Sequence, residues 1–171
     1  MKRLAAGIMV ALSVAVAATA IRQSAAAEPR PMLPDPIFAD GSGMPVHLSQ
    51  YRGQVVVITF WAGSCGPCVK GMPLLDRLQG EFRGRPVTVM AVDEDQGGIA
   101  AARQFLFRQR LGYLRPFADP GATAAQWLGV SGLPTTIVVD RHGRQAMRIA
   151  GLYRWDDPQV AARLQFLLAE P

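Results

Sequence analysis

The sequence predicts an α/β domain in which a mixed central sheet carries helices on both faces. Two observations support this fold class. Runs of β-branched residues alternate with segments whose apolar residues recur at helical spacing, as they do in parallel strand–helix–strand units. Near the C-terminus, two strand-like segments flank a turn, which indicates an antiparallel hairpin. The expected strands lie at residues 46–48, 55–61, 87–92, 135–139 and 147–150, and the expected helices at 66–82, 99–106, 120–128 and 158–168.

Local signals mark the elements of the first half. A turn cluster at residues 40–43 precedes the first short strand, and Gly53 separates that strand from the buried run that follows it. A helix should begin at about Gly66, because Pro67 suits the first helical turn, where its missing N–H leaves nothing unpaired. We expect Pro73 to kink this helix.

The elements of the second half are marked in the same way. The acidic run at residues 93–95 follows a strand, and we interpret it as a loop rather than a metal site. Trp127, in the short helix, and Trp155 are expected to pack in the core. The last helix should begin at Pro158, directly after an aspartate that can cap it.

The chain has two cysteines, Cys65 and Cys68, separated by Gly66 and Pro67. A C-x-x-C pair between a buried strand and a helix is typical of a redox centre. Cys65 falls near the helix N-terminus, where the dipole and the free N–H groups favour a thiolate, whereas Cys68 lies inside the first turn. We therefore expect Cys65 to attack a substrate disulfide and Cys68 to resolve the mixed disulfide, with no further cofactor.

Two other interpretations of the cysteine pair stay open at this point. A structural disulfide would close a very short loop and would stabilise the fold by only roughly 2 kcal/mol. A metal site would need further ligands, and the two histidines of the chain, His47 and His142, lie in polar or turn-like settings. We favour the redox centre and expect no metal.

Residues 1–27 are interpreted as a targeting segment. Lys2 and Arg3 precede an uncharged, largely apolar run at residues 4–21, and the alanines at 25–27 match the small-residue pattern of a cleavage site. A run of 18 residues is long for a signal peptide and near the lower limit for a membrane span. A cleaved signal peptide and an uncleaved N-terminal membrane anchor therefore both remain in consideration. Either would place the rest of the chain in the periplasm or another exported compartment.

Beyond this segment we expect a Pro-rich linker at residues 28–36 and one domain at residues 37–171. The whole chain carries a net charge of +5, but residues 1–27 contain three basic residues and no acidic one, which leaves +2 for the remainder. So small an excess of basic residues does not indicate a nucleic-acid partner.

Taken together, these segments resemble the thioredoxin superfamily, and most closely its exported, often membrane-tethered branch that includes TlpA, ResA and CcmG. The resemblance covers about residues 36–169 and implies a thioredoxin-like fold with an N-terminal β extension and an inserted central helix. The residues that carry it are Val46-His47-Leu48-Ser49, Arg52-Gly53, Phe60-Trp61-Ala62 through Cys68, Pro73 and Gly129-Val130-Ser131-Gly132-Leu133-Pro134-Thr135-Thr136.

The resemblance implies roles for residues around the cysteines. Pro134 would follow a cis peptide bond and lie beside the active disulfide. Leu133 would offer its backbone groups to an extended substrate segment. Trp61, Gly66 and Pro67 would support the site that binds the substrate.

Three positions depart from the pattern of these relatives. Thr59 stands where thioredoxin has a buried acid, and Gly71 stands where many TlpA-like proteins have a glutamate. Ser64 replaces the tryptophan that commonly precedes the first cysteine. The proton acceptor for Cys68 is therefore unassigned at this stage.

The resemblance implies an exported thiol–disulfide oxidoreductase that reduces disulfides in specific partner proteins, such as apocytochrome c or a copper-site protein. Because exported compartments are oxidising, a membrane electron donor would have to re-reduce it. Two alternatives use the same cysteine pair: a disulfide-forming oxidant, and a chaperone that holds Cu(I) on the two thiolates.

Overall fold

The computed structural model describes residues 30–171, which form a seven-stranded sheet flanked by helices. Most expected elements are present within a few residues of their predicted bounds. The strands are β1 (Ile37–Ala39), β2 (Pro45–His47), β3 (Val55–Trp61), β4 (Val87–Asp93), β5 (Arg115–Ala118), β6 (Thr135–Val139) and β7 (Gln145–Ala150). The helices are α1 (Gly66–Glu81), α2 (Gly98–Arg108), α3 (Thr123–Trp127) and α4 (Pro158–Ala169), and a 3-10 turn spans Leu48–Tyr51.

The sheet is mixed, as the sequence predicts. Its strand order is β2-β1-β5-β4-β3-β6-β7. The three adjacent strands β3, β4 and β5 run parallel, whereas β6 and β7 form an antiparallel hairpin that pairs with β3. The carboxyl ends of β3, β4 and β5 therefore lie at one edge of the sheet, together with the beginning of β6.

The two faces of the sheet bury separate apolar cores. Alternate residues of β3 point to opposite faces, so that Val57 and Trp61 join the core under α1, α2 and α4, while Ile58 and Phe60 join the core under α3. The inserted helix predicted around Phe105 is α2, and it packs on the same face as α1. This placement brings Phe105 against the strand that leads to the cysteines.

Two short strands were not predicted. The strand β1 has three residues, and β5 has four that include Pro116. Proline is normally confined to edge strands because it lacks the N–H that a ladder needs. Pro116 is tolerated because β1 pairs with β5 only at Ala118. At the position of the proline, β5 therefore has no neighbouring strand on the side away from β4.

The expectations for the two tryptophans had different outcomes. Trp155 is buried, as predicted, but the prediction that Trp127 packs in the core is wrong, because its side chain is 62% exposed. The helix α3 has only five residues and buries Ala124 and Ala125 instead. A single helical turn has room for only a narrow apolar face, and the tryptophan lies outside it.

Residues 30–36, which we predicted to be part of an extended linker, are hydrogen-bonded to the domain. Met32 forms an isolated antiparallel bridge with Arg144, beside the β6–β7 hairpin. Arg30 bonds the carboxylates of Asp140 and Glu170. The predicted leader at residues 1–27 lies outside the described residues, and within 30–171 no helix is long and apolar enough to cross a membrane.

Candidate active site

The two cysteines lie at the junction of β3 and α1 and are joined as a disulfide. Cys65 is the N-cap of α1, and its sulfur accepts a hydrogen bond from the Cys68 N–H at 3.2 Å. Gly66 and Pro67 form the start of the helix and are exposed. The local sequence dictates this arrangement, since proline is tolerated in the first helical turn.

The two sulfurs differ in their access to solvent. Cys65 is half-buried, whereas Cys68 is only 3% exposed. The first sulfur also lies at the end of a helix whose free N–H groups stabilise a negative charge. The geometry therefore presents Cys65 to an incoming partner and shields Cys68 behind it.

The segment before β6 forms a second wall of the site. The Leu133–Pro134 peptide bond is cis, and Pro134 lines the same small cavity as Pro67 and Cys68. The Pro134 carbonyl accepts a hydrogen bond from the Gly151 N–H at 2.8 Å. Leu133 is half-buried at the rim. The cavity has a volume of only about 10 Å³, which is too small for a small-molecule substrate.

Trp61, at the end of β3, is buried rather than on the surface. Its side chain is 1% exposed, and its ring lies 4.5 Å from the ring of Phe105, centroid to centroid. The indole Nε1 is buried without a hydrogen-bond partner. Trp61 is therefore a buried packing residue directly before the cysteine turn.

Neither of the two positions at which the resemblance leads one to expect an acid has a carboxylate that could accept the proton of Cys68. The Thr59 and Thr136 hydroxyls hydrogen-bond to each other at 2.9 Å in the buried layer. At Gly71, an added Cβ would lie 3.3 Å from the Leu152 Cδ1 atom. Leu152 therefore covers the place in which many relatives have a glutamate.

An acidic segment beside the cysteine turn was not assigned a role by the sequence. Asp93 is fully buried at the end of β4, next to Trp61 in the parallel register. Burial raises the pKa of Asp93 to about 6, against the lowering effect of the hydrogen bond from the Asp95 amide. Burial also raises the pKa of Glu94, with Asp119 and Asp93 adding to the effect. The signal in the sequence was an acid placed directly after a buried strand.

The described residues hold no group of three or more histidine, cysteine, aspartate or glutamate side chains that could bind a metal ion. What the arrangement offers chemically is a dithiol–disulfide pair with one accessible sulfur, next to a backbone segment before the cis-proline. Such a site can exchange two electrons with a disulfide or dithiol of another molecule.

Comparisons with known proteins give the same class. The Redoxin family profile matches residues 25–161. The thiol-disulfide oxidoreductase ResA of Bacillus thuringiensis subsp. konkukian is 30% identical over 119 residues, which cover 69% of this chain and 67% of the relative. A crystal structure from Chlorobium tepidum, assigned as the thiol:disulfide interchange protein DsbE, has a TM-score of 0.71 and 28% identity over 82% of this chain and 97% of that one.

A secreted thiol-disulfide isomerase from Corynebacterium glutamicum is also similar, with a TM-score of 0.70 and 26% identity over 81% of this chain and 86% of that chain. Fold, site and relatives thus define a thioredoxin-like thiol–disulfide oxidoreductase. The chain belongs to the Redoxin family of the thioredoxin superfamily, on its ResA- and CcmG-like branch.

Proposed function

We propose that this protein reduces disulfides in specific exported partner proteins, with Cys65 as the attacking thiol and Cys68 as the resolving thiol. The observation that carries the proposal is the unequal access to the two sulfurs at the N-terminus of α1. A half-buried sulfur that caps the helix can reach a partner, whereas a sulfur that is 3% exposed can react only after the partner is attached.

The exchange balances without any further redox group. The Cys65 thiolate attacks one sulfur of the substrate disulfide, and the other substrate sulfur leaves as a thiolate that takes up a proton. Cys68 then loses its proton and attacks the Cys65 sulfur, which releases the second substrate thiol. The substrate gains two electrons and two protons, and the protein ends as the Cys65–Cys68 disulfide. We accordingly propose that no cofactor takes part.

The shallow surface at the disulfide favours a protein as the substrate. The cavity beside Cys68 is too small for a ligand, but the exposed edge offers Leu133, Pro67 and the half-exposed Leu152. An extended polypeptide could form backbone hydrogen bonds at Leu133 and so bind as an added strand. We propose that this backbone aligns the partner's disulfide with Cys65.

The direction and the place of the reaction rest on the leader and on the relatives. A basic and then apolar N-terminal segment favours export, through a cleaved signal peptide or as a membrane tether. In an oxidising compartment the protein stays a reductase only if a membrane-bound dithiol donor re-reduces it. Apocytochrome c and copper-site proteins are the partner classes that the resemblance suggests.

Three variants test this function in an insulin-reduction assay with the purified chain. We expect Cys65→Ser to abolish the activity and Cys68→Ser to accumulate a mixed disulfide that dithiothreitol releases. The neighbouring exposed Ser64→Ala is the control and should keep the wild-type rate. Full activity of Cys65→Ser would contradict the mechanism. A midpoint potential above about −150 mV would instead favour a disulfide-forming oxidant.

A further inference from the structure

The turn that carries Cys65 is held from the side by the acidic segment that follows β4. The Gly63 N–H donates to the Asp95 Oδ2 at 2.8 Å. The Asp95 N–H donates in turn to the Asp93 Oδ1 at 3.0 Å, and the Glu94 N–H donates to the Trp61 carbonyl at 2.9 Å. A chain of hydrogen bonds therefore leads from the buried end of β4 to the residue two positions before the reactive cysteine.

Few other contacts hold this turn. The Cys65 N–H bonds the Ala62 carbonyl at 3.1 Å, but Gly63 and Ser64 are exposed. If a Cβ were added to Gly63, the only atom of residues 30–171 within 4 Å, apart from those of its chain neighbours, would be the Asp95 Oδ2, at 3.0 Å. The Asp95 carboxylate is thus in close and specific contact with the turn.

Asp93 is an unfavourable residue to bury at this point. Its Oδ2 atom and the Glu94 Oε1 atom are buried without hydrogen-bond partners. Among the described residues, the charged groups that act on Asp93 and Glu94 are acidic: Asp95 acts on Asp93, and Asp93 and Asp119 act on Glu94. The Asp119 N–H, just after β5, donates to the Asp93 carbonyl at 2.9 Å. On β3, Asp93 lies next to Trp61 in the parallel register. A buried acid without a compensating cation is typical of functional sites.

We propose that Asp95 and Asp93 are positioning residues for thiol–disulfide exchange: Asp95 holds the turn at Gly63, and Asp93 holds Asp95. The proposal rests on the proposed role of Cys65 as the attacking thiol. The attack requires three sulfurs in line, so a displacement of the turn by a fraction of an ångström slows the reaction. Asp95 acts by accepting a hydrogen bond, and its charge is not what the turn requires.

The first test separates the hydrogen bond from the charge. Asp95→Ala removes both, and we expect it to lower the second-order rate constant of disulfide reduction about tenfold, the factor that one hydrogen bond supplies. Asp95→Asn keeps an oxygen acceptor without the charge, and we expect it to stay within about twofold of wild type. An unchanged rate in Asp95→Ala, or an equal loss in Asp95→Asn, would overturn the proposal.

The second test is a double-mutant cycle between Gly63 and Asp95. Gly63→Ala places a methyl group against the carboxylate and should slow the reaction in the wild-type background. In the Asp95→Ala background the methyl group meets no atom, so we expect no further loss. Fully additive losses would show that the two residues act independently and would contradict the proposal.

A matched control separates positioning from general stability. Asp140 also follows a buried strand and accepts backbone N–H groups, those of His142 and Arg144, but it lies at the opposite end of the sheet. We expect Asp140→Ala to lower the thermal midpoint without changing the rate of disulfide reduction in the folded protein. If wild type itself reduced no disulfide, the proposed function would fail; if only the Asp95 variants behaved as wild type, this inference alone would fail.

Discussion

At the scale of single residues, the acids nearest the cysteine turn lie at the end of β4 and not at positions 59 and 71. Thr59 and Gly71 leave the usual acidic positions without a carboxylate, and Leu152 covers one of them. The acids of this chain lie instead at the end of β4, with Asp93 fully buried. Burial disfavours the ionised form and raises the pKa of Asp93.

This burial predicts a pH dependence of stability. The pKa of Asp93 is raised to about 6 in the folded protein from an ordinary value of 3.8. Between these values the unfolded chain loses the proton and the folded protein keeps it, so stability falls as the pH rises towards 6. We expect Asp93→Asn to remove this loss, worth at most about 3 kcal/mol at pH 7.

Denaturant unfolding of wild type and Asp93→Asn between pH 4 and pH 7 measures the effect. The other carboxylates titrate in both proteins, so the difference between the two curves isolates Asp93. A difference that stays constant across this range would show that Asp93 titrates as it does in the unfolded chain.

At the scale of elements, the inserted helix α2 packs against the strand that leads to the redox centre. It packs on β4 and β5, and the ring of Phe105 lies 4.5 Å from the ring of Trp61, centroid to centroid, at an interplanar angle of 47°. The helix therefore contributes to the packing around Trp61, next to the cysteine turn. Phe107, two residues after Phe105, is 85% exposed and takes no part in this packing.

Two substitutions on this helix should have opposite outcomes. Phe105→Ala leaves a cavity beside Trp61, and we expect it to destabilise the fold by about 3–4 kcal/mol. Phe107→Ala changes an exposed side chain and should stay within about 0.5 kcal/mol of wild type. Thermal or urea unfolding measures both. Equal effects of the two variants would contradict the packing of α2.

At the scale of the whole molecule, the segment before β1 is attached at the edge of the sheet opposite the disulfide. Arg30 joins Asp140, at the end of β6, to Glu170, at the end of α4. Asp140 is 3% exposed, so Arg30 compensates a buried charge. The start of the described chain and its C-terminus are thereby held together, on the side away from the active site.

Removing this connection should cost stability but not activity. We expect Arg30→Ala to destabilise the fold by about 1–3 kcal/mol, because the Asp140 carboxylate loses its charged partner. Arg154→Ala is the matched control, since the Arg154–Asp156 pair is exposed and its loss should change the free energy of unfolding much less than the loss of Arg30. Urea unfolding compares the two variants, and insulin reduction should be unchanged in both. Equal stability of the two variants would contradict the role of Arg30.

Much of the fold followed from the sequence because its signals are local. The β-branched runs of β3, β4 and β6 and the capped helices α1 and α4 were found close to their bounds. Strands β1 and β5 were not predicted because segments of three or four residues are too short to show an alternation of apolar and polar residues. Pro116 in β5 is also a residue that is unfavourable within a strand. Trp127 was misplaced because burial depends on which neighbours the fold supplies.

The sequence by itself determined the chemistry: two cysteines with Gly66 and Pro67 between them, placed after a buried strand, specify a dithiol at a helix N-terminus, because backbone geometry and capping are local properties. Only the tertiary structure decided how that dithiol is supported. Asp95 meets Gly63, and Leu152 covers Gly71, across 32 and 81 residues of chain. Such contacts depend on strand order and register, which no local pattern specifies.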